Sequence, residues 1–363
     1  MLRAGACPIP AMRALTQAWP RPVDPRPIVM VGCGSIARAA HLPAYARMQF
    51  PVAGLFDVRP AAAHAAAAAF GIGQVYETLD AACAEPGVVF DIAVPGDRTL
   101  DVLERVPRGA TVLMQKPMGT DLAQAGRIRA CVRARGLTAA VNLQLRFSPG
   151  VLALRDLIER GALGALVDVD VRIVIDQPWH EWSFLEGAVR LELPYHSIHY
   201  LDLIRWIAGE PEGVHCRAAS HPELPAFRDT RSSIILDYGD RIRCSLVLNH
   251  THRSGPKHHA SQLLVEGTSG AARLTWGVNL AYPAGPPDTM EVALRGGEWQ
   301  PITLRGSWFT EAFEGPMSNL QRFAAGEDAH LVGSVDDAMK TMALVEACYM
   351  SSDRGGTAVP GTD

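Results

Sequence analysis

Along the first 150 residues, short apolar runs alternate with stretches whose apolar positions recur every three or four residues. The run IVMV at 28–31 is followed by a glycine turn and a helical pattern, and VAGLF at 52–56 leads into RPAAAHAAAAAF. The same order then repeats: a strand in VVFDIAVP, a helix from Arg98, a strand in ATVLM, a helix over 121–135 and a strand in TAAVN. Strand and helix in alternation predict a mostly parallel, doubly wound sheet, because parallel neighbours need a crossover and here each crossover is helical. The alanine run carries no repeat period, and alanine is the best helix former, so it reads as helix and not as linker.

From about residue 148 the pattern changes. GVLALRDLIERGALG predicts a helix, LVDVDVRIVI a strand, an aromatic loop follows, and a second helix covers 194–208. Several strands come next, then helical stretches near 309–325 and 335–350 and a Gly-rich tail. Strands in succession predict a largely antiparallel, open sheet with helices on one face. At 363 residues the chain is long for one core, since cores stop growing near about 250–300 residues. Two domains are therefore expected, a sheet of the first kind over 27–147 and one of the second kind over 148–363, with residues 1–26 as a loose extension.

Composition narrows the partners. The formal net charge of -4, with 48% hydrophobic and 20% charged residues, advertises no basic face for nucleic acid or an acidic membrane, so a small-molecule ligand is expected. No apolar run approaches the roughly 18–20 residues of a membrane span, and the apolar stretches of the first 26 residues are too broken for a signal-peptide core. The seven cysteines are scattered with no C-x-x-C spacing, which points to reduced thiols and the cytoplasm.

Gly32, Gly34 and Ala37 form a G-x-G-x-x-A arrangement between the first strand and the first helix. Gly32 permits a tight turn, Gly34 lets the backbone approach a pyrophosphate, and Ala37 lets helix and strand pack closely. Ser35 and Ile36 open the helix whose N-terminal amides face the phosphates. Asp57 ends the second strand, where a carboxylate accepts hydrogen bonds from a ribose 2′-hydroxyl; Arg59 is the alternative, a partner for a 2′-phosphate. NAD is favoured, with NADP possible. Ligands of such sheets sit beyond the carboxyl ends of the strands, which puts Pro95, Gln115 and Lys116 at the mouth of the crevice. The fold class is thus α/β: an N-terminal Rossmann domain and a C-terminal α+β domain with a large, mostly antiparallel open sheet.

In YHSIHYLD, Tyr195, His199 and Asp202, with Trp206 beyond, are spaced four, three and four apart and share a helix face, with His196 on its margin. His250, His252, His258 and His259 offer arithmetic for a metal site, but His250 and His252 continue the parity of a strand, and no H-E-x-x-H pattern occurs. No metal is expected. The loop DQPWHEWSFLEGAVRLELP brings Trp179 and Trp182, whose faces suit the C–H surface of a polyhydroxylated ring or, equally, the packing of domains.

The sequence resembles the Gfo/Idh/MocA oxidoreductases, the family of glucose-fructose oxidoreductase and inositol dehydrogenase. The resemblance runs from about Ile28 to Ser352 and rests on VGCGSIARAAHLPAY, Asp57, QKP at 115–117, LRFSP at 145–149, GALG at 161–164, IHYLDLIRWIAGEP at 198–211 and VEGTSGAARL at 265–274. It implies a nicotinamide cofactor, sugar or cyclitol substrates, and a homodimer or homotetramer formed through the C-terminal sheet. It also implies that Lys116 is the lysine of the family's Glu-Lys-Pro motif and His199 its active-site histidine, and it puts Arg146 among the substrate-binding residues.

Two positions depart from the family. Gln115 stands where glutamate is usual, and Tyr195 where an aspartate usually precedes the histidine by four. Losing a nearby carboxylate lowers the expected pKa of Lys116. His199 is the expected base in a hydride transfer from a ring hydroxyl, Lys116 orients the oxygen, and Tyr195 or His196 relays the proton or holds a neighbouring hydroxyl. The alternatives are redox-neutral, NAD-dependent glycoside cleavage and a non-catalytic NAD(P)-binding regulator.

Overall fold

The computed structural model describes residues 14–182 and 185–358. The first half of the expected N-terminal extension, Ser183 and Phe184 of the aromatic loop, and the last residues of the Gly-rich tail lie outside the described residues.

The first body contains β1 (Ile28–Val31), α1 (Leu42–Arg47), β2 (Val52–Phe56), α2 (Pro60–Phe70), α3 (Leu79–Cys83), β3 (Val89–Ile92), α4 (Thr99–Leu103), β4 (Thr111–Gln115), α5 (Leu122–Arg135) and β5 (Thr138–Asn142). Its five strands are all parallel, in the order β2-β1-β3-β4-β5. Every residue of β1, β3 and β4 is buried, as a parallel sheet covered on both faces requires. The chain reverses its direction of travel across the sheet between β1 and β3, and this opens a crevice beyond their carboxyl ends.

The second body follows with α6 (Pro149–Glu159), β6 (Leu166–Val174), α7 (Ile198–Ala208), β7 (Gly213–Ala219), β8 (Arg231–Asp237), β9 (Arg243–Asn249), β10 (Ala260–Gly267), β11 (Gly270–Thr275), β12 (Thr289–Leu294) and β13 (Gln300–Ile302). The chain then closes with α8 (Glu314–Ala324) and α9 (Val335–Arg354). The eight strands run β13-β12-β11-β10-β6-β9-β8-β7. Neighbours are antiparallel except β6 and β9, which are parallel because the aromatic loop, α7 and two strands intervene between them. Burial alternates along β8, with Ser232, Ile234 and Leu236 inside and Ser233, Ile235 and Asp237 outside. One face of the sheet packs on the helices and the other is open.

Two expectations about boundaries need correction. Residues 14–26 form no helix or strand, yet they are not loose: Leu15 is buried, the amide of Thr16 donates to Asp156 (2.8 Å), and the Trp19 indole donates to Asp328 (2.8 Å). Nor does a single cut at 147/148 divide the core. Met317 and Leu320 of α8 share a cluster with Ile28, Met30 and Leu113 of the first sheet, so the chain returns to cover the sheet on which it began.

A buried ionic knot holds the site helix. Arg146, just after β5, donates Nε and Nη2 to the two oxygens of Asp202 on α7 (2.6 and 2.5 Å) and Nη1 to Asp337 on α9 (2.6 Å). Arg205 reaches the other oxygen of Asp337 (3.0 Å), and Thr341 donates to Asp202 (2.7 Å). Burial opposes the charge on Arg146, and Asp202 and Asp337 more than restore it. Arg146 was expected to touch substrate; its guanidinium is instead consumed by these carboxylates, and it does not line the cleft described below. Asp202→Ala is expected to lower the unfolding free energy by about 1–3 kcal/mol, because it leaves two buried N–H donors of Arg146 unpaired while Asp337 still neutralises its charge. Urea titration measures that loss, and the folded variant keeps its affinity for NAD.

Candidate active site

Both bodies contribute to one cleft of about 920 Å³, near the top of the roughly 300–1,000 Å³ range of ligand pockets. Its outer part is built by the loops after β1, β2 and β3. Gly32 has φ 100°, and a Cβ there would meet the carbonyl oxygen of Ala93 at 2.5 Å, so only glycine permits this turn. A Cβ on Gly34 would meet nothing within 4 Å; it borders open space, as a backbone approached by a pyrophosphate must. Ser35, Ile36 and Pro95 line the same wall, while Ala37 is fully buried under the turn.

Asp57 is buried and fixed by backbone. Its oxygens accept the amides of Cys33 (2.8 Å) and Arg59 (2.8 Å), which ties the glycine loop to the end of β2. Each oxygen keeps a further lone pair for a ribose hydroxyl. Arg59 lies 3.5 Å from the same carboxylate with most of its side chain in solvent. Together these features fit a dinucleotide.

Below the crevice lies a polar network that the sequence did not disclose. After its opening residues Ser35 and Ile36 the helix passes through a π-helical turn, Ala37–His41, whose wider ring of hydrogen bonds aims His41 into the core. His41 Nδ1 stands 2.7 Å from Asp91 Oδ2, which also accepts the hydroxyl of Tyr45 (2.7 Å). Gln115 Oε1 accepts the amide of Asn142 (2.9 Å) and lies 3.1 Å from His41 Nε2. Gln115 therefore borders the cleft with its oxygen already engaged, and it is neutral where a glutamate would carry charge.

Lys116 follows β4 and donates to the backbone carbonyl of Tyr195, across the junction between the two bodies. Buried, with no carboxylate among the described residues countering that burial, its ammonium is pushed down to about 7 by desolvation. A second π-helical turn, Leu193–Ser197, precedes α7 and turns Tyr195, His196 and His199 all toward the cleft. His199 packs edge-on against Trp308, with ring centres 5.2 Å apart, and its Nδ1 is buried without a hydrogen-bond partner among the described residues. That is the nitrogen an orienting carboxylate would satisfy. Burial, and then the charge of Lys116, hold His199 well below the usual imidazole range.

His196 is supported differently. Its Nδ1 lies 2.8 Å from Nε2 of His250, which is fully buried just past β9. Trp179 and Trp182 both border the cleft, 6.3 Å apart between ring centres, and Tyr282 packs on Trp182 at 5.5 Å. Trp179 also packs on Leu185, Leu191 and Phe227, so it serves the core and the cleft at once. Tyr282, Trp308 and Phe309 also line this end, and no spacing pattern in the sequence singled them out. His252 turns away to His259, with ring centres 5.5 Å apart, and among the described residues no group of three or more His, Cys, Asp or Glu is arranged around a metal.

Comparison with known proteins agrees with this geometry. Residues 26–143 match the model of an oxidoreductase family with an NAD-binding Rossmann fold, and residues 151–273 match the GFO/IDH/MocA C-terminal domain. The chain is 25% identical to an inositol 2-dehydrogenase of Rhizobium meliloti (strain 1021) over 340 residues, 89% of this chain and 95% of that one. It is 26% identical to a D-apiose dehydrogenase of Paraburkholderia graminis over 351 residues, 90% of this chain and 88% of that one. An oxidoreductase from Agrobacterium radiobacter, solved in complex with NAD+, L-tartaric acid and magnesium, superposes with a TM-score of 0.76 at 21% identity, covering 92% of this chain and 98% of that one. With both domains matched in order and the glycine turn, Asp57 and Lys116 gathered on one cleft, the chain belongs to the Gfo/Idh/MocA family of NAD-binding oxidoreductases.

Proposed function

We propose that the protein is a dehydrogenase that moves a hydride between NAD(P) and a ring hydroxyl carbon of a sugar, glycoside or cyclitol. The observation that carries this reading is the junction after β4, where Lys116 reaches the carbonyl of Tyr195 and so stands beside His196 and His199 at the inner end of the cleft. Gly32, Gly34, Ser35, Ile36, Asp57 and Pro95 would hold the dinucleotide, and Asp57 favours NAD over NADP. When bound, the nicotinamide accepts or returns the hydride.

The residues of the chain handle the oxygen and the proton. Lys116 donates an N–H to the reacting oxygen, orienting it and stabilising alkoxide character. His199, held neutral by burial, offers a lone pair to the hydroxyl proton. Burial also makes the resulting imidazolium acidic, so the proton moves on, and His196 receives it. Tyr195 borders the same space and offers a hydroxyl to a neighbouring group of the ring, while Trp179 and Trp182 present flat faces to its C–H surface. The names of the inositol and apiose dehydrogenases support a polyol substrate.

Two finer readings accompany this one. Val167, Ile235 and Val247 are exposed on the strands of the open sheet, which supports a homodimer or homotetramer assembled there. The cysteines of the described residues are free thiols, which supports a reducing, cytoplasmic setting.

Incubation with NAD and a panel of cyclitols, aldoses and glycosides is expected to raise absorbance at 340 nm. Lys116→Ala and His199→Ala should each lower kcat by at least about a hundredfold. Product without a 340 nm signal would instead favour redox-neutral glycoside cleavage, and NAD binding without any turnover would favour a regulator. Asp57→Ala is expected to weaken NAD binding by about tenfold, the worth of roughly one charged hydrogen bond, with little effect on NADP. Calorimetric titration of both dinucleotides checks this, and tighter binding of NADP than of NAD by the wild type would refute the role of Asp57.

A further inference from the structure

Behind His196 lies a line of buried titratable groups that the hydride transfer itself does not use. His196 Nδ1 is 2.8 Å from His250 Nε2, and His250 Nδ1 faces Oε1 of Glu192 at 3.3 Å, close enough for an ion pair but not aligned as a hydrogen bond. Glu192 is fully buried; its Oε1 accepts the hydroxyl of Ser197 and its Oε2 that of Ser232 (2.9 Å). The tyrosine at 195 leaves His199 without the usual orienting carboxylate, and a carboxyl group stands two contacts behind the neighbouring imidazole instead.

We propose that Glu192 and His250 are positioning residues that form a proton relay behind His196, with Glu192 storing the proton removed from the substrate. This rests on the dehydrogenase reading for the source of the proton, though not for the relay's existence. In the base-ready state Glu192 is a carboxylate, His250 carries its proton on Nδ1 and His196 on Nδ1, which leaves His196 Nε2 as the ring nitrogen with a lone pair. The proton taken from the alcohol passes from His199 across the 6.4 Å between ring centres, bridged by a hydroxyl in the cleft, to His196 Nε2. His196 Nδ1–H goes to His250 Nε2, and with the His250 ring turned into line its Nδ1–H goes to Glu192, 3.3 Å away. The electron pair of the substrate C–H bond leaves with the hydride, the O–H pair closes the carbonyl, and one proton ends on one carboxylate.

The physical reason for such a route is charge. Burial, first of all, depresses both His196 and His250, the latter to about 3, so neither can hold an imidazolium. A relay that only exchanges tautomers never asks them to. Burial raises Glu192 to about 8 while Ser232 and Ser197 oppose that rise, so the acceptor at the end of the line titrates within the working pH range. Cys216, Asp229, Tyr200, Cys348 and Tyr349 also face Glu192. Facing His196 are His199 and Lys116, and the lysine is itself lowered to about 7.

Histidine ring nitrogens in the 15N-labelled, full-length protein with NAD bound and no substrate report the tautomers directly. His196 and His250 are expected to be Nδ1–H above pH 8 and to change together to Nε2–H below it. Glu192→Gln should abolish the change while leaving the titration of Lys116 in place, and Ser232→Ala should move the midpoint upward, since it removes a donor to the carboxylate. A tautomer of His196 that is constant across this range in the wild type, or a change that persists in Glu192→Gln, would overturn the relay. With any sugar that is turned over, alcohol oxidation should rise and ketone reduction fall through the same midpoint, and Glu192→Gln should flatten both profiles. If no sugar is turned over while the tautomer change is present, the dehydrogenase reading fails and the relay stands.

Discussion

The knot of Arg146, Asp202, Asp337 and Arg205 is the interaction on which the rest of the structure depends. It joins the segment leaving β5, the site helix α7 and the closing helix α9 through the buried charges of Arg146, Asp202 and Arg205 and the partly exposed carboxylate of Asp337. A pair so buried contributes little net stability over a well-packed apolar core, but breaking one partner is costly, so it fixes relative positions. The positions it fixes are those of the imidazoles. Asp202 lies less than one turn beyond His199, and clamping it sets how far α7 stands from Lys116 at the end of β4.

Within that frame the site handles charge by removing it. Gln115 replaces an expected carboxylate with an amide whose oxygen accepts the side-chain amide of Asn142. Lys116 beside it is left to desolvation alone and falls toward neutrality. Tyr195 replaces the other expected carboxylate, so His199 stands with an unsatisfied Nδ1. The two departures act together: a lysine near neutrality repels the adjacent imidazoles less than a full ammonium would, and buried imidazoles prefer to be neutral. A carboxyl group stands behind His250 at Glu192, and burial raises that group too, to about 8.

Much of the fold was legible because its physics is local. Continuous apolar runs such as IVMV mark strands buried on both faces, and their alternation with helices dictates a parallel sheet. The glycine turn and Asp57 were legible because their chemistry requires those residue types at those places. The π-helical turns at 37–41 and 193–197 were not, since nothing in composition distinguishes them from α-helix. Asp91 was a missed signal: a carboxylate inside a buried strand needs partners, and His41 and Tyr45 supply them. The direction of Arg146 was misjudged because a motif gives a position and not the carboxylates that will face it. Glu192 and His250 meet only once the second sheet is formed, and the return of α8 to the first sheet is likewise long-range.

The central claim is that this cleft works with its proton-handling groups held near neutrality by burial, and the charge state of Lys116 tests it most directly. The chain contains three lysines, Lys116, Lys257 and Lys340, so protein labelled with 13C at lysine Cε gives a spectrum simple enough to follow through a pH titration, and Lys116→Met identifies the signal of interest. This signal is expected to titrate near pH 7, at the value of about 7 set by desolvation. A Lys116 signal that does not titrate below about pH 9, as for an ordinary ammonium in water, would contradict it.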